Sequence, residues 1–144
     1  AESVKDLSGG WKKKQDLGAR AQSLLAAIVP QGGTDLQQAF AWLAKNASQG
    51  TQVFLITDGL PTKLSSQGLV SRIFSTCARD PKGFVSGECR QQIFARSVTT
   101  LSQVGVELNV ILLPSEGDPS AAPLYWALAK SKGGVVFSPE LNWP

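Results

Sequence analysis

The chain has no histidine. That removes Ser-His-Asp triads, Cys-His dyads and His-ligated zinc together. Methionine is also absent, so the chain is expected to be a processed or excised piece of something longer. No apolar run approaches the roughly 20 residues that a membrane span needs, and any signal peptide or anchor is expected outside this stretch. Charge is mild: the net value is +3 over 144 residues, and Lys12, Lys13 and Lys14 form the only basic run. Such a run reads as a solvated helix face. With no aromatic-rich basic motif beside it, no nucleic-acid partner is expected. Cysteine is scarce as well. Cys77 and Cys89 flank "ARDPKGFVSGE", a stretch rich in Gly, Pro and charge that reads as a surface loop closed at its neck. Two thiols at this spacing make no zinc site. The reading taken is a disulfide, which implies an oxidising, extracytoplasmic compartment, periplasmic or secreted. The alternative is two free thiols near helix ends in a cytoplasmic protein.

What is present describes one globular domain over residues 1–144, with an apolar fraction of 42% that suffices for a core. Residues 12–29 carry Leu17, Ala21, Leu24, Leu25 and Ile28 at helical spacing, and Pro30, Gly32 and Gly33 end the pattern. Residues 35–47 repeat it through Leu36, Phe40, Leu43 and Ala44, with Thr34 or Asp35 at the cap position and Gly50 beyond the end. Helical patterns also cover 65–77, 88–103 and 120–132. Three short apolar runs, 52–57, 106–114 and 134–138, lack alternation and suit strands covered on both faces. Strands alternating with helices mean βαβ units. The expected fold is therefore α/β, a Rossmann-like doubly wound parallel sheet with helices on both faces. Three strands are fewer than such sheets usually carry, so this chain is expected to hold about half of one.

In "QVFLITDGLPT" (52–62) an apolar strand stops at Asp58, Gly59 and Pro61. In an open parallel sheet, ligands bind at the carboxyl ends of the strands, and Asp58 follows such an end directly. The loop "PQGGT" leads to Thr34 at a helix start. A carboxylate and a hydroxyl are hard oxygen donors and suit Mg²⁺ or another divalent cation that keeps several waters. Each residue also has a plainer reading: Thr34 as a helix cap, Asp58 as a turn former with Gly59. Asp118 and Pro119 read as a helix cap followed by proline at the first helical position. Trp42 and Trp126 sit at core spacing. Trp143 reads as a cover for the end of the sheet or a contact to another part of the parent protein.

"PQGGTDLQQAFAWLA" followed by "QVFLITDGLPT", "GVELNVILL" and "YWALAKSKGGVVFSP" resembles the von Willebrand factor type A (vWA) family, in the family's order, over roughly residues 20–140. The Gly-Gly-Thr and Thr-Asp-Gly pair at this separation is its specific part. On this resemblance residues 31–144 match the C-terminal part of the family, and 1–30 form a helical lead-in. The resemblance implies a metal-ion-dependent adhesion site. Thr34 would bind the ion directly or through water, and Asp58 would act through a water. A Glu or Asp of a protein partner completes the coordination. Asp35, Gly59, Glu116 and Asp118 are the candidates for the binding rim. The family's Asp-x-Ser-x-Ser loop has no good counterpart: "DLSGG" offers Asp6 and Ser8 but Gly10 in place of the second serine. The expectation is that this part of the fold is a separate piece, or that the metal site is incomplete and carries no ion.

The function expected is a non-enzymatic protein-binding module that grips an acidic partner residue through a divalent ion. A second reading is a metal-free structural half-domain that assembles with the missing N-terminal half of its own protein or with a partner. A third is a metal-dependent phosphatase-like enzyme. Such enzymes need a second carboxylate two residues after the nucleophilic Asp, where this chain has Leu60. The edge of the strand at 52–57 is expected to be covered by the missing half, by a second copy or by residues 1–10, because a bare edge invites aggregation.

Overall fold

The computed structural model describes residues 33–63, 85–114 and 118–139, with Ser23, Ala26 and Cys77 besides. Ser23 and Ala26 are helical, within the helix expected over 12–29. The rest of that helix, the helix expected over 65–77, Asp6, Ser8, Gly10, Gly32, Glu116 and Trp143 lie outside the described residues. The chain divides into two compact units, Ala1–Gly32 and Gly33–Pro144, and the second carries every element named below.

Helix α1 (Leu36–Asn46) starts where Asp35 accepts a hydrogen bond from the Gln38 N–H at 2.9 Å, so Asp35 and not Thr34 is the cap. It buries Leu36 and Phe40, with Leu43 partly covered one turn on. Its exit needs Gly50 at φ +80°, a left-handed conformation that glycine adopts without penalty. Strand β1 (Thr51–Thr57) follows at once. Helix α2 (Gly87–Ser102) is capped by Ser86, whose hydroxyl accepts from the Cys89 N–H, and it buries Cys89, Ile93, Phe94, Ser97 and Leu101 along one stripe. Strand β2 is Val106–Leu112. Helix α3 (Ala121–Ser131) buries Ala121, Tyr125, Leu128 and Ala129. Its end is a double glycine turn. Gly133 sits at φ +73° and donates to Lys130 O, while Gly134 donates to Ala129 O, which satisfies two terminal carbonyls. Strand β3 (Val136–Phe137) closes the described sheet. Asp118 and Pro119 do not cap α3 as the sequence suggests. The cap position is Ser120, without a side-chain hydrogen bond, because the Asp118 carboxylate is engaged elsewhere.

The sheet has three parallel strands in the order β1-β2-β3. Register sets Val53 beside Leu108 and Leu55 beside Val110 on one face. On that face α1, α2 and α3 share a single core, including Phe40, Phe94, Leu108, Val110 and Tyr125. Phe94 and Tyr125 meet edge to face at 5.0 Å. The opposite face presents Phe54, Ile56 and Phe137, which are 58%, 64% and 54% exposed. Helices on both faces are therefore not seen among the described residues. The strand order gives the reason. Two successive right-handed crossovers that advance in one direction lay both helices on the same face, and coverage of the other face needs a reversal of order.

Trp126 also departs from expectation. The buried stripe of α3 runs through Tyr125 and Leu128, which turns Trp126 outward to 58% exposure under the Lys130 ammonium, 4.8 Å from the ring centroid. Trp42 is half-buried. No helix among the described residues is long and apolar enough to cross a membrane.

Candidate functional site

The loop after β1 is built almost entirely from buried backbone. Gly59, Leu60 and Pro61 are all buried, and Asp58 alone is exposed. Two hydroxyls converge on the Gly59 carbonyl, those of Thr57 and Tyr125, each at 2.9 Å. Leu60 is held at both ends of its peptide unit. Its N–H donates to Asp118 Oδ2 at 2.7 Å, and its carbonyl accepts from Arg90 Nη2 at 2.7 Å and Nε at 3.3 Å. Arg90 and Asp118 close the ring with an ion pair of 2.8 Å, the Asp118 side chain being only 5% exposed. A Cβ on Gly59 would approach Asp118 Oδ2 to 2.9 Å and Arg90 Nη2 to 3.0 Å, so a side chain there would push both partners of the ring aside. Burial pushes the Tyr125 phenol up to about 12, so it stays a neutral donor toward Gly59.

The Gly-Gly-Thr loop is fastened to the same segment. Thr34 N–H donates to Thr62 Oγ1 at 3.1 Å, and the Thr34 carbonyl accepts from the N–H groups of Thr62 and Lys63 at 3.2 and 3.0 Å. A Cβ on Gly33 would come within 2.5 Å of Thr62 Oγ1. The two loops singled out by sequence thus meet beyond the carboxyl end of β1. Their backbones are consumed by these bonds, but the side chains are not. Among the described residues neither the Thr34 hydroxyl nor the Asp58 carboxylate has a hydrogen-bond partner, and both residues are exposed.

The candidates for the rim divide. Asp35 caps α1. Gly59 is buried inside the clamp, and Asp118 is turned inward to Leu60 and Arg90. Glu116 lies outside the described residues. Sequence reasoning did not find Arg90, Tyr125 or Thr62. Each acts on a backbone group, Arg90 on the Leu60 carbonyl besides its ion pair with Asp118, Tyr125 on the Gly59 carbonyl and Thr62 on the Thr34 N–H, and backbone groups leave no motif in the sequence.

Two hard oxygen donors of the right kind for Mg²⁺ are present, a hydroxyl and a carboxylate. Among the described residues no group of three or more His, Cys, Asp or Glu could hold a metal ion. The donor set fits a small divalent cation in kind and is short in number, so most of the coordination would be water. Cys77 and Cys89 are joined, with Cα atoms 5.3 Å apart. The bond roots in the first turn of α2, one residue before Arg90. Comparison with protein-family models, with curated proteins and with solved structures returns no match.

Proposed function

We propose that the chain is a non-enzymatic protein-binding module of vWA type, whose site lies where the Thr34 loop and the segment that follows the Asp58 turn are joined. A divalent ion such as Mg²⁺ would be held there by the Thr34 hydroxyl and, through water, by Asp58, and an acidic side chain of a protein partner would complete its shell. One observation carries this reading: two clamped loops at a strand's carboxyl end each leave a single exposed oxygen donor unused. The clamp supplies preorganisation, since Asp58 cannot follow its turn inward. Leu60 fills the position where a phosphatase needs its second carboxylate, and it is buried, which supports a binding rather than a catalytic role.

The test is a titration of the isotopically labelled chain with Mn²⁺ as a paramagnetic stand-in for Mg²⁺. The expected outcome is selective broadening of the Thr34, Asp58 and Gly59 amide signals, with a dissociation constant on the order of 1 mM for so few protein donors. Asp58→Asn and Thr34→Val should each abolish the selectivity. Uniform broadening, or none, would sink the metal reading.

A second reading is favoured by the open sheet face. On it the chain is a metal-free half-domain that assembles with another polypeptide through that face. The exposed Phe54, Ile56 and Phe137 support it.

A further inference from the structure

We propose that the open face of the sheet is a docking surface for one amphipathic α-helix of a partner polypeptide, bearing an apolar stripe with Lys or Arg at both ends. The inference rests on the assembly reading and adds the chemistry of the occupant. Purely parallel sheets are buried on both faces, and here Phe54, Ile56 and Phe137 stand open around Ile111, which is half-buried. A strand added beside β1 would pair with backbone and leave these side chains where they are. A helix laid across the face would cover them, as α2 and α3 cover the other face.

Charge specifies the ends of that helix. Glu107 lies on this face at the N-terminal end of β2, opposite Gln52. Its carboxyl accepts from Gln52 Nε2 at 2.9 Å and Asn109 Nδ2 at 3.3 Å. These bonds, that from Gln52 foremost, hold it below the usual carboxylate range and therefore ionised. Beyond the other end of the row Asp58 is exposed. No Lys or Arg belongs to β1, β2 or β3. The span from Gln52 to Asp58 is about 20 Å at ~3.3 Å per residue, which corresponds to about 13 residues of helix. A second copy fits less well. The outward face of α3 brings Trp126 and Lys130, an apolar surface with a cation at one end only.

The experiment uses the full chain and a synthetic helical peptide of about 18 residues, with leucines at i, i+3, i+4 and i+7 and two lysines at each end. Two further peptides serve as probes: the same composition scrambled, and an extended peptide of alternating apolar and polar residues. The expected result is saturable binding of the helical peptide alone. Chemical-shift changes should map to Phe54, Ile56, Ile111 and Phe137. Phe54→Glu should weaken binding about tenfold or more, and Glu107→Gln about threefold. Phe54 is exposed, so its variant should keep the fold, and circular dichroism checks this. Equal binding of the scrambled peptide overturns the proposal, as does mapping to Trp126. If the extended peptide binds along β1 instead, or if the chain self-associates in a manner that Phe54→Glu abolishes, the helix is overturned and the assembly reading survives. If no peptide binds and the chain is monomeric with and without Phe54→Glu, both fall.

Discussion

Tyr125 shows how one side chain can set the pH limits of a fold. Its phenol is fully buried, donates to the Gly59 carbonyl, and is pushed up to about 12 by burial. An acid whose folded pKa is raised stabilises the fold fully below its unfolded pKa, near 10, and that stability is lost as pH rises through 12. The shift corresponds to about 2–3 kcal/mol, so urea midpoints should be insensitive to this group up to about pH 9 and decline above it. Since this is the single tyrosine of the chain, ultraviolet titration isolates it. A midpoint near 10 in the native protein would contradict the burial. Tyr125→Phe should remove the tyrosine's share of the alkaline loss and cost about 1 kcal/mol at pH 7, because Thr57 still serves the carbonyl. Asp118 is the more demanding position. Asp118→Ala strands both Arg90 and the Leu60 N–H, and unfolding in urea should show a loss of about 2–3 kcal/mol.

At the scale of elements, the joins hold more information than the helices themselves. Lys132, just past α3, reaches back to the carbonyls of Ser102 and Val104 at 3.0 and 2.9 Å and so caps the end of α2 with a cation. Asn109 accepts from the Val135 N–H and extends the ladder where β3 begins. Between these contacts the chain passes so close to β2 that a Cβ on Gly134 would overlap the Leu108 carbonyl oxygen. Gly134→Ala should therefore cost about 3 kcal/mol, well above an ordinary surface substitution, and thermal unfolding will register it. The Cys77–Cys89 bond closes a loop with a sequence separation of 12. Reduction with a dithiol should lower stability by roughly 3 kcal/mol in the chain-entropy account, measured as the difference between urea curves with and without reductant.

Over the whole described unit the order β1-β2-β3 makes β2 the one strand flanked on both sides. Its residues Leu108 and Val110 are fully buried, so their amides should exchange only through global opening. Hydrogen exchange should rank β2 slowest, with β1 faster. Equal protection in β1 would mean that its outer edge is paired in solution. Among the described residues α1, α2 and α3 therefore share one face of the sheet, and the other face presents the exposed Phe54, Ile56 and Phe137.

Much of this was legible from the chain alone. The apolar runs at 52–57, 106–114 and 134–138 became Thr51–Thr57, Val106–Leu112 and Val136–Phe137, and the helix patterns at 35–47, 88–103 and 120–132 appear within one residue at each end. Local periodicity and caps decide such elements, and both are written in consecutive residues. The Cys77–Cys89 pairing was legible for a similar reason, as a turn-rich insert closed at its neck. Which face each strand offers to the helices was not. The non-alternating run at 52–57 suggested burial on both sides, yet Phe54 and Ile56 are open, because coverage depends on strand order and crossover direction rather than on hydropathy. Trp126 fell outside the core because one residue of helical rotation separates it from Tyr125. The clamp around Leu60 was invisible too. Arg90 and Asp118 lie 30 and 58 residues away from it in the chain, and they grip peptide groups that every sequence has. Sequence determined the elements and the two loops that carry Thr34 and Asp58; only the tertiary structure decided that those loops are fastened together with both oxygens facing out, since that depends on contacts between segments far apart in the chain.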